Sequence, residues 1–402
     1  MISKLMIKIK YIIKCFVRMI LQKLLCILPL KKCYIIFESY PELDCSPWMI
    51  YRELKRRGFD KKYKFIWAVD SSSKFTSTVK CELFFGVCTI IQRLMRLRYL
   101  CSAKAIIDSN RYIKKINPKT FRMHTQHGAP LKGCWLYTQN LGEVDCLLSL
   151  SENMACIEQQ LYPSACGHIQ VLGYPTNDRL FEYIDLYQNS FWKKLTGLES
   201  RYKKIIGWLP TYRQHRQHKK SSSLNSDYVF PLGVPLLKTH EDLKRLNQFL
   251  QSKNILLTIQ MHHAQMENFP KQKFSNIVLI PGSLKQRLGV STANLMTNFD
   301  ALITDYSAAY HEYLLLDRPI ALSIDDYEAY AKHPGFVLDY FDWIKGVYLK
   351  DVSDLFRFIE EVYEGVDSAK IERDCSMRRI HQYIDNQSTK RVVDFLIEKA
   401  KL

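Results

Sequence analysis

Short apolar runs of strand length recur along this chain, each followed by a helical stretch, and the alternation restricts the fold more than any other feature. Lys32-Cys-Tyr-Ile-Ile-Phe37, Tyr63-Lys-Phe-Ile-Trp-Ala-Val69, Ala103-Lys-Ala-Ile-Ile-Asp108, Phe121-Arg-Met-His124, Cys146-Leu-Leu-Ser-Leu150 and Ile169-Gln-Val-Leu172 form a first series. A polar interruption at Gln188–Tyr202 follows. The series then restarts with Ile205–Leu209, Ile255–Met261, Ile277–Ile280, Ala301–Thr304 and Pro319–Ser323. Apolar strands separated by helices pair in parallel and need helices on both sheet faces, which makes this an α/β chain of βαβ units. A length of 402 residues and a break near residue 195 predict two Rossmann-like domains facing one another, residues 31–195 and 196–402.

The composition supplies enough core for two such layers. Apolar residues make up 47% of the chain, with 24 Tyr and 20 Phe, so a largely disordered chain is excluded. The 12 cysteines are scattered from Cys15 to Cys375 without a CxxC pair, the pattern of buried free thiols in a reducing compartment. The net charge of +18 is unevenly placed. Lys4, Lys8, Lys10, Lys14, Arg18, Lys23, Lys31 and Lys32 all precede the first acidic residue, Glu38. With no nucleic-acid module in view, the basicity points to anionic lipid or phosphate-bearing substrates and not to nucleic acid.

Residues 1–30 interleave those cations with Ile, Leu, Met, Phe and Val at roughly helical spacing. No uncharged run approaches the roughly 20 residues of a spanning helix, and the dispersed charge is unlike a signal peptide. An amphipathic helix lying in the interface of an anionic membrane is the expectation.

Four polar clusters close predicted strands, where open α/β sheets bind ligands. In His124-Thr-Gln-His127-Gly128-Ala-Pro130-Leu-Lys132-Gly133, His127 can take a proton near neutral pH and Lys132 can hold a phosphate. Thr304-Asp305-Tyr306-Ser307 ends a strand and opens a helix, offering Thr304, Asp305, Ser307 and free N–H groups to a diphosphate; N-capping is the plainer role. Pro210-Thr211-Tyr212-Arg213 presents a guanidinium for bidentate phosphate contact. Met261-His262-His263 places His262 to donate to a leaving phosphate. The adjacent histidines lack the spacing of a helical metal site, and neither DxD nor HExxH accompanies them, so no metal and no cofactor are expected. Arg213–Tyr228 reads as an exposed loop, a lid or simply solvated.

In order, these clusters resemble the CDP-glycerol glycerophosphotransferase family of teichoic acid and capsule polymer synthesis. The resemblance runs from Phe37-Glu-Ser39 and Ile106-Ile-Asp-Ser109 through Gln126-His-Gly-Ala-Pro-Leu-Lys132 and Gly173-Tyr-Pro-Thr-Asn-Asp178. It continues through Pro210-Thr-Tyr-Arg213, Ile259-Gln-Met-His262 and Ile303-Thr-Asp-Tyr-Ser307 to Gly335-Phe-Val-Leu-Asp339. It implies a GT-B-like fold with the active site in the interdomain cleft, an acceptor-side first domain and a CDP-donor-binding second one. It also implies transfer of a polyol phosphate from a CDP-polyol to a hydroxyl of a lipid-linked, oligosaccharide or polymeric acceptor, with release of CMP. His127 takes the role of base or charge stabiliser, His262 is similarly implicated, and Thr304 and Ser307 contact donor phosphates. Such an enzyme would sit peripherally on the cytoplasmic face of a bacterial cell membrane.

The chain departs from the family pattern beside both histidines. Gln126 stands for Trp, Ala129 for Thr, Gln260 and His263 for Lys and Pro, Thr176 for Arg and Ala308 for Ser. These changes leave CDP-ribitol open beside CDP-glycerol. A nucleotide-sugar glycosyltransferase of similar architecture is the alternative, discriminated by release of UDP instead of CMP; a scaffold that has lost turnover is a third reading.

Overall fold

The structure, a computed structural model, describes residues 33–39, 44–69, 81–84, 90–133, 141–188, 190–197, 201–211, 230–261, 269–332 and 334–402. Residues 1–30, expected to be an amphipathic helix, Arg213 with the whole polar loop to Tyr228, and His262 lie outside the described residues.

Two parallel sheets are built by the two series of apolar runs. The first contains β1 (Tyr34–Glu38), β2 (Lys64–Val69), β3 (Cys81–Phe84), β4 (Ala103–Asp108), β5 (Phe121–His124), β6 (Cys146–Ser149) and β7 (Ile169–Val171), in the order β3-β2-β1-β4-β5-β6-β7. The second contains β8 (Lys204–Trp208), β9 (Ile255–Ile259), β10 (Ile277–Leu279), β11 (Ala301–Thr304), β12 (Ile320–Ser323) and β13 (Val347–Leu349), in the order β10-β9-β8-β11-β12-β13. Every strand pair is parallel. Such strands are covered on both faces and therefore read as unbroken apolar runs; β1, β6, β9, β11 and β12 are buried at every position.

Both orders reverse direction beside the first strand of the series, between β1 and β4 and between β8 and β11. A crevice opens at such a switch point because the two flanking connections leave toward opposite faces of the sheet. Glu38–Ser39 and Ser109 leave the first switch point. Leu209–Thr211 and Asp305–Ser307 leave the second.

The chain does not finish on the second sheet. Its last helix, Ser388–Ala400, packs on the first half of the molecule. Asp178 there accepts from the N–H groups of Ser388 at 3.0 Å and Thr389 at 2.7 Å. Arg57 pairs with Asp394, and Arg391 donates to the carbonyl of Leu172 at 3.1 Å. This returning helix ties the end of the second half to the first.

No described helix is long and apolar enough to cross a membrane. The seven described cysteines with assigned environments are free thiols.

Candidate active site

The loop after β5 begins on a buried polar base. Asp108, at the end of β4, accepts from His124 Nδ1 at 2.6 Å and Arg122 Nε at 2.9 Å. Burial pulls the Asp108 carboxyl upward, but the Arg122 charge and the His124 hydrogen bond outweigh it and hold its pKa below the ordinary value. His124 is thereby a structural residue. Gln126 adopts φ +61° and turns its amide inward, donating to Leu148 O at 3.1 Å and Glu158 Oε1 at 2.6 Å. Burial pushes the Glu158 pKa up to about 8, so this carboxyl is protonated at neutral pH and its network carries no charge.

With its neighbour anchored inward, His127 projects outward and is exposed. Gly128 follows at φ +85°, and a Cβ there would stand 2.7 Å from Ala308 Cβ, which follows Ser307 in the second half. Only a glycine permits that approach. The loop is next stitched to the second half by a short antiparallel pairing. Lys132 bridges Phe336, Gly133 N donates to Gly335 O at 2.7 Å, and Val337 N donates to Leu131 O at 3.0 Å. A Cβ on Gly133 would meet Pro334 O at 2.8 Å. His127 and Ser307, 180 residues apart in the chain, therefore belong to loops in direct contact.

Nδ1 of His127 lies 3.8 Å from the Cys45 thiol, at the start of the helix Cys45–Arg56; among the described residues Nε2 makes no hydrogen bond. Desolvation lowers the His127 pKa, the Asp44 carboxylate pulls it back up, and the Lys132 charge lowers it. The net shift is downward, so more of the ring is a neutral base at neutral pH. Asp44 is held by Arg179, which closes an ion pair with it and also contacts Met49 Sδ. Burial pushes the Cys45 thiol well up and keeps it protonated. Glu312, on the helix Ala309–Leu314, is pushed up to about 7 by desolvation and by the Asp44 charge.

The second-half candidates divide. The Thr304 hydroxyl is fully buried and donates to Leu209 O at 2.8 Å. Asp305 is also fully buried; its two carboxylate oxygens accept from Thr211 N at 2.9 and 3.0 Å, and one accepts from Tyr306 N at 2.6 Å. Both residues are spent on fixing the ends of β8 and β11. They shape the crevice from behind instead of lining it, a correction to the expectation that their side chains face a diphosphate. Ser307 is half-exposed, with Oγ accepting from Ala309 N at 3.3 Å, a local turn bond and not a helix cap, since the N-cap residue is Ala308.

Residues that strand-end reasoning did not single out also bear on this site, with Asp44 as the charge common to them. Cys45, Asp44, Arg179, Glu312 and Lys285 come from four separate segments, and only the long-range fold assembles them. Glu38 was visible within Phe37-Glu-Ser39 but without a role. Its Oε2 accepts from the N–H groups of Ser109, Asn110 and Arg111 at 3.1, 3.1 and 3.0 Å, bracing the first switch point. Burial raises its pKa to about 7. Among the described residues, no group of three or more His, Cys, Asp or Glu side chains is arranged to hold a metal ion.

Residues 20–398 match the family described as CDP-Glycerol:Poly(glycerophosphate) glycerophosphotransferase. A teichoic acid poly(glycerol phosphate) polymerase of Bacillus spizizenii is 25% identical over 399 residues, covering 92% of this chain and 93% of that protein. A teichoic acid ribitol-phosphate primase of the same organism is 28% identical over 227 residues, 56% of this chain and 52% of the relative. For several other relatives, too, the chain spans only about half of their length. Among solved structures, a histidine-to-asparagine variant of the wall teichoic acid polymerase TagF with CDPG superimposes with a TM-score of 0.73 at 19% identity, covering 100% of this chain and 98% of the other. The UDP-GlcNAc 2-epimerase of Methanocaldococcus jannaschii reaches 0.53 at 12% identity, covering 92% and 100%. These likenesses establish the two-sheet, GT-B-like fold. Sequence match across nearly the whole chain, with fold and motif order in agreement, places it in the CDP-glycerol:poly(glycerophosphate) glycerophosphotransferase family of phosphotransferases that serve teichoic acid synthesis.

Proposed function

We propose that this enzyme transfers glycerol phosphate from CDP-glycerol to a hydroxyl of a membrane-linked or polymeric acceptor, with the half built on the first sheet as the acceptor side and the half built on the second as the donor side. The acceptor oxygen attacks the β-phosphorus, the one bearing the polyol. A phosphodiester P–O bond forms, the P–O bond to CMP breaks, and the acceptor proton passes to His127 Nε2. Lys132, Ser307, Arg213 and His262 handle the phosphate charge. Thr304 and Asp305 hold the backbone around it in place. The protein's contribution is chiefly positioning and charge stabilisation, as in other phosphoryl transfers. The observation that carries this reading is the approach of Gly128 to Ala308, which joins the loop of a neutral, outward-facing histidine to the second switch point.

The test is CMP release from CDP-glycerol with a glycerol phosphate oligomer as acceptor, with CDP-ribitol and UDP-sugars run in parallel. His127→Ala should lower turnover by roughly 10²- to 10⁴-fold without loss of fold; near-normal turnover would remove His127 from the reaction, and UDP release in place of CMP would favour a glycosyltransferase. The likeness to a ribitol-phosphate primase makes CDP-ribitol the donor to compare first. We assign the basic segment 1–30 to attachment at the cytoplasmic face of an anionic membrane, where lipid-linked acceptors are presented.

A further inference from the structure

We propose that Lys285 is a phosphate-binding residue of the donor site, a cation held in place for an anionic ligand by neutral partners. This inference rests on the donor reading above. Lys285 lies on the helix Gly282–Leu288, which follows β10 at the carboxyl edge of the second sheet. Its side chain folds back toward the sheet. Nζ donates to Gln260 Oε1 at 3.0 Å and to Thr292 Oγ1 at 2.7 Å. Gln260 is the first residue beyond β9, two positions before His262.

An ammonium has three N–H groups, and here two are spent on uncharged acceptors. Among the described residues, no carboxylate completes an ion pair with it. Other lysines that fold onto the protein behave differently: Lys115 meets Asp145 at 2.8 Å, Lys253 meets Glu360 at 2.8 Å, and Lys370 meets Asp317 at 2.6 Å. Lys285 is half-buried, and desolvation brings its pKa down to about 8, with Asp44 as the opposing charge. Asp44 is already engaged by Arg179. A charge withdrawn from water without a counter-ion costs stability. A bound phosphate oxygen would supply the missing charge and restore the ammonium to full ionisation.

Two neutral acceptors also preorganise the amine, fixing it before the ligand arrives. Gln260 N in turn donates to Trp208 O at 3.0 Å, which sets Lys285 beside the end of β8 at the second switch point, and the Asp44 charge acts on Lys285 as it does on His127. Its attachment to the second sheet, beside the end of β9, assigns it to the donor's diphosphate and not to the acceptor's phosphodiester.

The experiment measures equilibrium binding of CDP-glycerol, inorganic pyrophosphate and a glycerol phosphate oligomer to the full chain, to Lys285→Met and to Lys285→Arg, with melting temperatures of the ligand-free proteins. Lys285→Met should weaken CDP-glycerol and pyrophosphate binding by roughly 10- to 100-fold, the range of a charge-assisted hydrogen bond. Oligomer binding should hold, Lys285→Arg should recover part of the loss, and the ligand-free melting temperature should stay level or rise. Unchanged donor and pyrophosphate binding with a lower melting temperature would make Lys285 a brace for Gln260 and Thr292 and overturn the proposal. Loss of oligomer binding alone would move it to the acceptor and also overturn it. Should CDP-glycerol fail to bind the unmodified chain while pyrophosphate binding still depends on Lys285, the donor reading falls and the phosphate role stands.

Discussion

At the scale of single residues, His127 owes its chemistry to neighbours both near and far along the chain. Gln126 turns inward and so turns His127 outward. Desolvation and Lys132 lower its pKa, and Asp44 opposes them. A base whose folded pKa is depressed stays deprotonated to lower pH. The acid limb of kcat/KM should therefore lie below the ordinary imidazole value, and Asp44→Asn, which removes the opposing influence, should shift it lower still. A limb that rises in Asp44→Asn would mean that Asp44 does not govern this ring. His127 and Lys132 were legible in the sequence because a histidine–glycine pair and a nearby lysine close a strand. Thr304 and Asp305 were legible only as polar residues at a strand end. Sequence position does not distinguish a hydroxyl that faces solvent from one that, like Thr304, donates to the carbonyl of the adjoining chain segment.

At the scale of elements, the strands that sequence reading overlooked are β3 and β13, and each lies at an edge of its sheet. An edge strand pairs on one side only and is covered less, so its signal is weaker: Val347 and Tyr348 of β13 are only half-buried, although the edge strands β7 and β10 were still legible. Central strands, buried on both faces, declare themselves. The last helix illustrates the converse. Its amphipathic pattern says that Ser388–Ala400 packs somewhere, and Asp178 decides where. That carboxylate accepts from two N–H groups of the helix start, on Ser388 and Thr389. Asp178→Ala should destabilise the protein by about 1–2 kcal/mol, the range for loss of a helix cap, read as a lower urea midpoint, and Asp178→Asn should lose less. An unchanged midpoint in Asp178→Ala would show that apolar packing alone seats this helix.

At the scale of the whole molecule, two sheets of like strand order meet where the loop after β5 lies against the second switch point, and the final helix returns from the second half to pack on the first. Membrane attachment is proposed for residues 1–30. Removing residues 1–30 should abolish binding to vesicles rich in phosphatidylglycerol and leave CMP release onto a water-soluble acceptor largely intact; unchanged vesicle binding would place the membrane contact on the folded body instead.

The sequence by itself determined the α/β class, the two series of parallel strands, the family and the loops in which chemistry could reside. These are properties of period and order along the chain, and burial on both faces of a parallel sheet imprints them locally. The tertiary structure alone decided which polar side chains face the crevice and which brace it. It turned His127 out and Thr304 in, brought Gly128 against Ala308, paired Asp44 with Arg179, and folded Lys285 onto Gln260 and Thr292. Each of those relations joins residues tens to hundreds of positions apart, and desolvation and charge act through distance in space, which no local pattern encodes.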